Sequence, residues 1–157
     1  MKYALFTGAG GGLGGACSKA LAAAGWAVFA ADIDKAALDE IGKTPRIVPL
    51  IMDVTDADAV QRASEKVGSL LGSNRLAGLV NNAGVVVSGP LLHLRPSELR
   101  RQLEANVIGP LMVTQAFAPL LGTDSRRPDG PNRKHQLHGG KGSTAFPGCL
   151  RHLEVGT

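Results

Sequence analysis

Short apolar runs alternate with amphipathic stretches along the first 121 residues of this 157-residue chain. Fully apolar runs are typical of strands buried on both faces, and longer stretches with spaced apolar positions are typical of helices. The pattern predicts strands at 2–7, 26–31, 46–52 and 76–81, with helices at 12–24, 35–42, 56–71 and 97–121. This alternation predicts an α/β fold, with a doubly wound parallel sheet covered by helices on both faces.

The composition changes near Leu121, and the rest of the chain has a different character. Residues 122–157 carry 6 Lys or Arg against 3 Asp or Glu, and only five of these 36 residues are Val, Ile, Leu, Phe or Met. So few apolar side chains cannot offset the chain entropy lost on folding. We therefore expect a folded domain at 1–121 and a disordered or irregular tail at 122–157.

A glycine-rich run, Thr7 to Gly14, lies between the first predicted strand and the first predicted helix. Glycines let the backbone turn sharply and approach a ligand, and a helix N-terminus attracts phosphate. Asp32 ends the second strand, where a carboxylate accepts hydrogen bonds from ribose hydroxyls and repels a 2′-phosphate. A tight turn without a ligand is the alternative for the glycines alone. Together with Asp32 they predict a Rossmann-type site that binds NAD in preference to NADP.

Four signatures in this order resemble the short-chain dehydrogenase/reductase family, over residues 1 to about 121. They are Thr7-Gly8-x-x-x-Gly12-x-Gly14, Asp53-Val54 after the third strand, Asn81-Asn82-Ala83-Gly84 after the fourth, and Asn106 in the next helix. The resemblance implies an NAD(P)-dependent oxidoreductase that transfers a hydride between the nicotinamide cofactor and a small-molecule alcohol or carbonyl substrate. It also implies that the intact form is a homo-oligomer. By comparison with the family, residues 1–121 are a partial domain with an incomplete sheet, because the fourth strand lacks its neighbour and has an open edge.

The resemblance gives each signature a role. Asp53 would bind the adenine amino group, the turn from Asn81 to Gly84 would lie along the cofactor ribose, and Asn106, the single catalytic candidate, would hold a water linked to a catalytic lysine. On chemistry alone, Asp53 could instead cap the next helix, for which Asp56 is the better candidate, and Asn and Gly are common in turns. The predicted cofactor-binding residues are Thr7, Gly8, Gly12, Leu13, Gly14, Asp32, Ile33, Asp53, Val54, Asn81, Ala83 and Gly84.

The rest of the family's catalytic group is missing from this sequence. The family uses a Ser to polarise the carbonyl, a Tyr to transfer the proton, and a Lys four residues after the Tyr. The only tyrosine is Tyr3, in the first strand, and no Tyr-x-x-x-Lys occurs. The sequence as written therefore predicts an inactive chain, and a non-catalytic dinucleotide-binding module is the alternative function.

A frameshift explains the tail and the missing residues together. Read one base out of frame, residues 130–137 permit codons for G-R-I-V-N-I-S-S, which resembles the family's fifth strand and its catalytic Ser. Residues 149–154 likewise permit A-Y-A-T-S-K. The hidden Ser aligns with Leu137, the hidden Tyr with Leu150 and the hidden Lys with Glu154, which reproduces the family's spacing of thirteen and four residues. We therefore interpret the tail as out of frame.

The remaining alternatives involve other partners and other compartments. His135-x-x-His138 and Cys149-x-x-His152 have zinc-ligand spacing, but no supporting carboxylate is evident, so no metal site is predicted. The tail's excess of three positive charges with one aromatic residue does not favour nucleic-acid binding.

Membrane insertion and secretion are not favoured either. The longest apolar stretch, residues 107–121, is short and interrupted by two prolines, so no membrane partner is predicted. The six glycines within residues 8–15 interrupt any signal-peptide core. Since two cysteines make no disulfide framework, a cytoplasmic location is expected.

Overall fold

The computed structural model describes residues 1–122 and 151–153, in which a five-stranded sheet has the order β3-β2-β1-β4-β5. Strands β1 to β4 are parallel, and β5 is antiparallel to β4. The predicted α/β fold with a parallel, Rossmann-type sheet is confirmed. The strands are β1 (Tyr3–Thr7), β2 (Ala27–Asp32), β3 (Ile47–Ile51), β4 (Leu76–Asn81) and β5 (Arg151–Leu153).

Helices cover both faces of this sheet and are α1 (Gly12–Ala23), α2 (Lys35–Ile41), α3 (Ala57–Leu71), α4 (Pro96–Leu103) and α5 (Gly109–Phe117). Consecutive residues of a strand point to opposite faces, so Leu5 packs in the core on one side and Phe6 in the core on the other. Phe117 of α5 belongs to the first core and Leu38 of α2 to the second. Both cores are built from side chains that are almost fully buried.

The last predicted helix, 97–121, is not continuous. A π-helical turn, Glu104–Ile108, separates α4 from α5, and a 3₁₀ turn, Ala118–Leu120, follows α5. Pro110 has no N–H, and its ring crowds the carbonyl of residue 106 in a regular α-helix. The wider π turn avoids that clash, since the Gly109 N–H donates to the Glu104 carbonyl five residues back.

Acidic side chains begin three of the helices. Asp56 caps α3 by accepting hydrogen bonds from the backbone N–H groups of residues 58 and 59, as predicted. Asp34 accepts one from Ala37 at the start of α2. In the first turn of α4, the side-chain hydrogen bond from Arg95 lowers the pKa of Glu98 below its usual value.

The expectation of an open edge at β4 is wrong. At one end of that strand Leu76 bridges Leu121, and the Gly122 N–H donates to the Leu76 carbonyl over 2.9 Å. At the other end β5 adds three residues, which pair with 79–81. The remaining predictions for the tail concern 123–150 and 154–157 and lie outside the described residues. Within the described part, each helix is too short or too polar to cross a membrane.

Candidate cofactor-binding site

A cleft of about 560 Å³ opens at the carboxyl ends of the parallel strands. The chain places β2 and β3 on one side of β1 and then crosses to β4 on the other, and ligands of doubly wound sheets bind at such a switch point. The cleft is lined by Gly8, Asp32, Ile33, Met52, Asp53, Val54, Thr55, Ala83, Gly84, Val85, Arg101, Glu104 and Ala105.

The glycine turn after β1 is shaped by close backbone approaches. A Cβ at Gly14 would overlap the carbonyl oxygen of Gly8, and Gly8 itself has φ of +67° with a Cβ position 2.8 Å from the Ala83 Cα. Beside this crowded part, Gly11 and Gly12 face open space. No side chain caps α1 at Gly11, so the first N–H groups of the helix have no side-chain partner. These features fit a bound pyrophosphate.

Asp32 lies beside this turn at the end of β2. Its Oδ2 accepts a hydrogen bond from the Gly10 N–H at 2.8 Å, and its Oδ1 accepts one from the Asp34 N–H at 2.9 Å. A Cβ at Gly10 would lie 2.9 Å from the same carboxylate. The neighbouring Ile33 is 67% exposed and also lines the cleft. Glycine at position 10 is therefore needed for the carboxylate to approach the turn.

Thr7 and Asn82 join the glycine turn to the end of β4. The buried Thr7 Oγ1 accepts hydrogen bonds from the N–H groups of Asn82 and Ala83, each at 3.0 Å. In return the Asn82 Nδ2 donates to the carbonyls of Thr7 and Gly8, each at 3.1 Å. Asn82 was not among the predicted site residues, although its position in the Asn-Asn-Ala-Gly signature pointed to it.

Asn106 lies in the π turn and holds the segment after β4. Its Oδ1 accepts from the Val85 N–H and its Nδ2 donates to the Val85 carbonyl, both at 2.8 Å. A Cβ on Gly84 would lie 2.7 Å from the Asn106 Oδ1, so this contact also needs glycine. Both polar atoms of the side chain are thus engaged with the Val85 backbone.

Asp53 and Val54, which follow β3, also line the cleft. The Asp53 Oδ1 accepts hydrogen bonds from the Thr55 N–H at 2.8 Å and the Thr55 Oγ1 at 2.7 Å. The cap of α3 is Asp56, so the alternative role of Asp53 as the helix cap is wrong. Val54 contacts Gly109 at the start of α5, where a Cβ would lie 3.0 Å from the Val54 Cγ2.

The structure brings seven predicted residues into the cleft and places the others around it. Those lining it are Gly8, Asp32, Ile33, Asp53, Val54, Ala83 and Gly84. Thr7, Gly12, Leu13, Gly14 and Asn106 belong to the surrounding turns and helices, and the Asn81 Nδ2 donates to Thr114 Oγ1 of α5. Sequence reasoning missed Met52, Thr55, Val85, Arg101, Glu104 and Ala105, which carry no signature of their own.

No serine, tyrosine or lysine lines the cleft in the described part of the chain. Tyr3 stacks on Phe29 with ring centroids 6.3 Å apart, in the core of the sheet. Of the proposed zinc ligands, His152 lies in β5, and the other three lie outside the described residues. Within residues 1–122 and 151–153, no three His, Cys, Asp or Glu side chains are grouped to hold a metal.

The fold and the glycine turn define a Rossmann-type nucleotide-binding protein. The model of the family described as "short chain dehydrogenase" matches residues 2–129. The chain therefore belongs to the short-chain dehydrogenase/reductase family of oxidoreductases, which bind nicotinamide cofactors.

Named proteins are similar to this chain in sequence or in structure. The NADPH-dependent 3-dehydrocapnine reductase of Ornithobacterium rhinotracheale is 38% identical over 78% of this chain and 44% of its own length. The 3-oxoacyl-(acyl-carrier-protein) reductase of Thermotoga maritima is 33% identical over 76% of this chain and 50% of its own. The structure of the Brucella melitensis 3-ketoacyl-(acyl-carrier-protein) reductase complexed with NADH matches with a TM-score of 0.71 and 31% sequence identity. The match covers 76% of this chain and 49% of that protein. The chain thus spans about half the length of these relatives.

Proposed function

We propose that this chain is the cofactor-binding half of an NAD-dependent short-chain dehydrogenase/reductase, and that residues 1–121 form the nucleotide-binding domain. The observation that carries the proposal is the Asp32 carboxylate held against the Gly10 N–H at the edge of the cleft. A fixed negative charge there accepts hydrogen bonds from a ribose diol and repels a 2′-phosphate. Named relatives use NADPH or carry NADH, so the preference for NAD rests on this residue.

Each part of the cleft has a task toward the cofactor. The N–H groups at the start of α1, around Gly12, Leu13 and Gly14, would hold the pyrophosphate. Asp32, with Ile33 beside it, would hold the adenosine ribose, and the Ala83–Gly84 turn would lie along the other ribose. NAD supplies the hydride acceptor when bound.

In this proposal Asn106 positions the segment that follows β4. Its side chain fixes Val85 through two hydrogen bonds. The water that the family resemblance implies would bind near Asn106, with the side chain holding the neighbouring turn in place.

Cofactor binding tests the first part of the proposal. We expect wild-type protein to bind NAD more tightly than NADP in a calorimetric titration. Asp32→Asn keeps an oxygen to accept the Gly10 N–H but removes the charge. Two like charges about 4 Å apart near a surface repel by up to ~4 kcal/mol before salt screening, so we expect the preference to fall by at least about tenfold.

Asp39→Asn is the matched control, because it removes the same charge at an exposed site on α2 where Asp39 pairs with Lys35. It should leave the ratio of the two dissociation constants unchanged. Equal binding of NAD and NADP by the wild-type chain would refute the assignment of Asp32. Failure of both to bind would refute the proposed function itself.

We also propose that a frameshift has replaced the catalytic half and that the chain as written has no dehydrogenase activity. A positioned acid typically contributes 10²- to 10⁴-fold, and neither Leu150 nor Glu154 provides the phenol and ammonium of the family mechanism. The codons test this directly. CTA or TTA for Leu150 together with GAA for Glu154 supports the hidden Tyr and Lys, and any other codon at either position excludes that hidden motif.

A corrected reading frame extends that test to activity. Removing the shift between codons 121 and 130 should restore the Ser, Tyr and Lys, and oxidation of alcohols with NAD can then be followed by absorbance of the reduced cofactor. Activity of the uncorrected chain would contradict the proposal. If the codons exclude the shift, a non-catalytic dinucleotide-binding module becomes the better function, and a metal assay tests the zinc alternative.

The intact form is proposed to act on a small-molecule alcohol or carbonyl as a cytoplasmic homo-oligomer. Support for association comes from an apolar stripe, defined by Leu99, Leu103, Val107 and Leu111, which follows the outer face of α4 and α5 at four-residue spacing. Each of its side chains is 42–53% exposed. Contiguous exposed apolar surface of this kind marks contact sites between proteins.

A further inference from the structure

We infer that Arg101 is a cofactor-binding residue whose guanidinium supplies the positive charge that lets an acidic cleft accept the diphosphate of a dinucleotide. The inference rests on the proposed function, since it concerns how the same cleft takes up its cofactor. Arg101 lies in the last turn of α4 and lines the cleft.

The lining of the cleft carries more negative than positive charge. Its ionisable residues are Asp32, Asp53, Glu104 and Arg101, so three carboxylates accompany one guanidinium. The diphosphate of a dinucleotide adds further negative charge. A cleft lined mainly by one sign of charge repels a ligand of the same sign. Among the lining residues, the side chain that can offset this repulsion is Arg101.

No cation in the described part of the chain neutralises the three carboxylates. Asp32 accepts hydrogen bonds from backbone N–H groups, and Asp53 accepts them from the N–H and the hydroxyl of Thr55, none of which carries a net charge. The four ion pairs within residues 1–122 and 151–153 involve other side chains. The carboxylates therefore act together on an anionic ligand.

The Arg101 guanidinium is available to a ligand. Among the residues that the structure describes, it forms neither an ion pair nor a hydrogen bond. Glu104 lies three residues further along the helix, a spacing at which opposite charges commonly pair, but these two side chains do not pair. Arg101 is exposed, and an arginine side chain is always charged. Its charge is thus free to act on the diphosphate.

The neighbouring Arg100 provides a contrast within the same helix. It also lies in the last turn of α4 and is also exposed, but it does not line the cleft. Successive residues of a helix point about 100° apart, so the two side chains leave the helix in different directions. The two arginines therefore share their charge and their place near the helix end, and differ in their access to the cleft.

The experiment measures the dissociation constant of NAD for the full chain at two salt concentrations. At about 0.1 M salt, where the screening length is about 10 Å, we expect Arg101→Gln to weaken binding by about fivefold. At about 1 M salt, where the screening length is about 3 Å, the variant should bind like wild-type protein, which also shows that it is folded. Arg101→Lys keeps the charge without the planar guanidinium and should stay within about twofold of wild type.

Arg100→Gln is the matched control and should remain within about twofold of wild type at both salt concentrations. Unchanged binding in Arg101→Gln, or an equal loss in Arg100→Gln, would overturn the inference. A loss that persists at high salt, or one as large in Arg101→Lys, would also overturn it, because the side chain would then act by direct contact with the base rather than by charge. If wild-type protein does not bind NAD, the proposed function fails instead.

Discussion

Replacing Asn106 with alanine removes both hydrogen bonds that hold the Val85 backbone. A hydrogen bond contributes about 1 kcal/mol net, so the pair should contribute about 2 kcal/mol. Val85 is only partly buried, so water can replace the lost partners of its N–H and carbonyl. The larger cost of leaving buried polar groups without a hydrogen bond therefore does not apply. The change should act locally, on the segment between β4 and α4, since both side-chain hydrogen bonds of Asn106 go to Val85.

Amide hydrogen exchange measured by NMR separates this effect from general destabilisation. In Asn106→Ala the Val85 amide should exchange about 30-fold faster, the factor that corresponds to ~2 kcal/mol. Gln102→Ala is the matched control, because the Gln102 Oε1 accepts only the Val87 N–H, at 2.7 Å. It should accelerate the Val87 amide and leave Val85 protected. If Val85 exchanges at the wild-type rate in Asn106→Ala, the interpretation of Asn106 as a backbone clamp is wrong.

Two further changes test the glycine turn and the apolar stripe. Gly14→Ala should prevent the turn from closing because the new Cβ overlaps the Gly8 carbonyl oxygen, and the variant should lose NAD binding in the same titration; wild-type affinity would contradict this packing. Val107→Asp, in the middle of the stripe, should lower the association state measured by light scattering, whereas Val86→Asp, at a 79% exposed position outside it, should not. An association state unaffected by Val107→Asp would exclude the stripe as the contact surface.

The elements of the sheet could be predicted from the sequence because their signals are local. Each predicted strand from β1 to β4 lies within a residue or so of the observed one, since a continuous apolar run bounded by Gly, Asp or Asn has few other structures open to it. The interruption at Glu104–Ile108 could have been expected from Pro110. The short β5 could not, because its three residues form no apolar run and are defined by pairing with β4.

The site residues that belong to a sequence motif could be predicted. Those that reach the site only through tertiary contacts could not. The glycine turn and Asp32 could be predicted from residue type and order, and Gly8 of the turn and Asp32 both line the cleft. Arg101 of α4 and Glu104 of the π turn line the cleft through the tertiary fold, which no spacing in the sequence reveals. The presence of Thr55 in the cleft likewise depends on the turn it forms with Asp53, which no signature marks.

The hydroxyl of Thr7 has a consequence for how the two ends of the cleft respond to a ligand. It ties the turn after β1 to the turn after β4, and Asn106 in turn clamps the segment that follows. A ligand that binds the first turn in this arrangement therefore also favours the observed arrangement of the second. We expect a mutation that loosens either turn to weaken cofactor binding and to shift the segment that Asn106 holds.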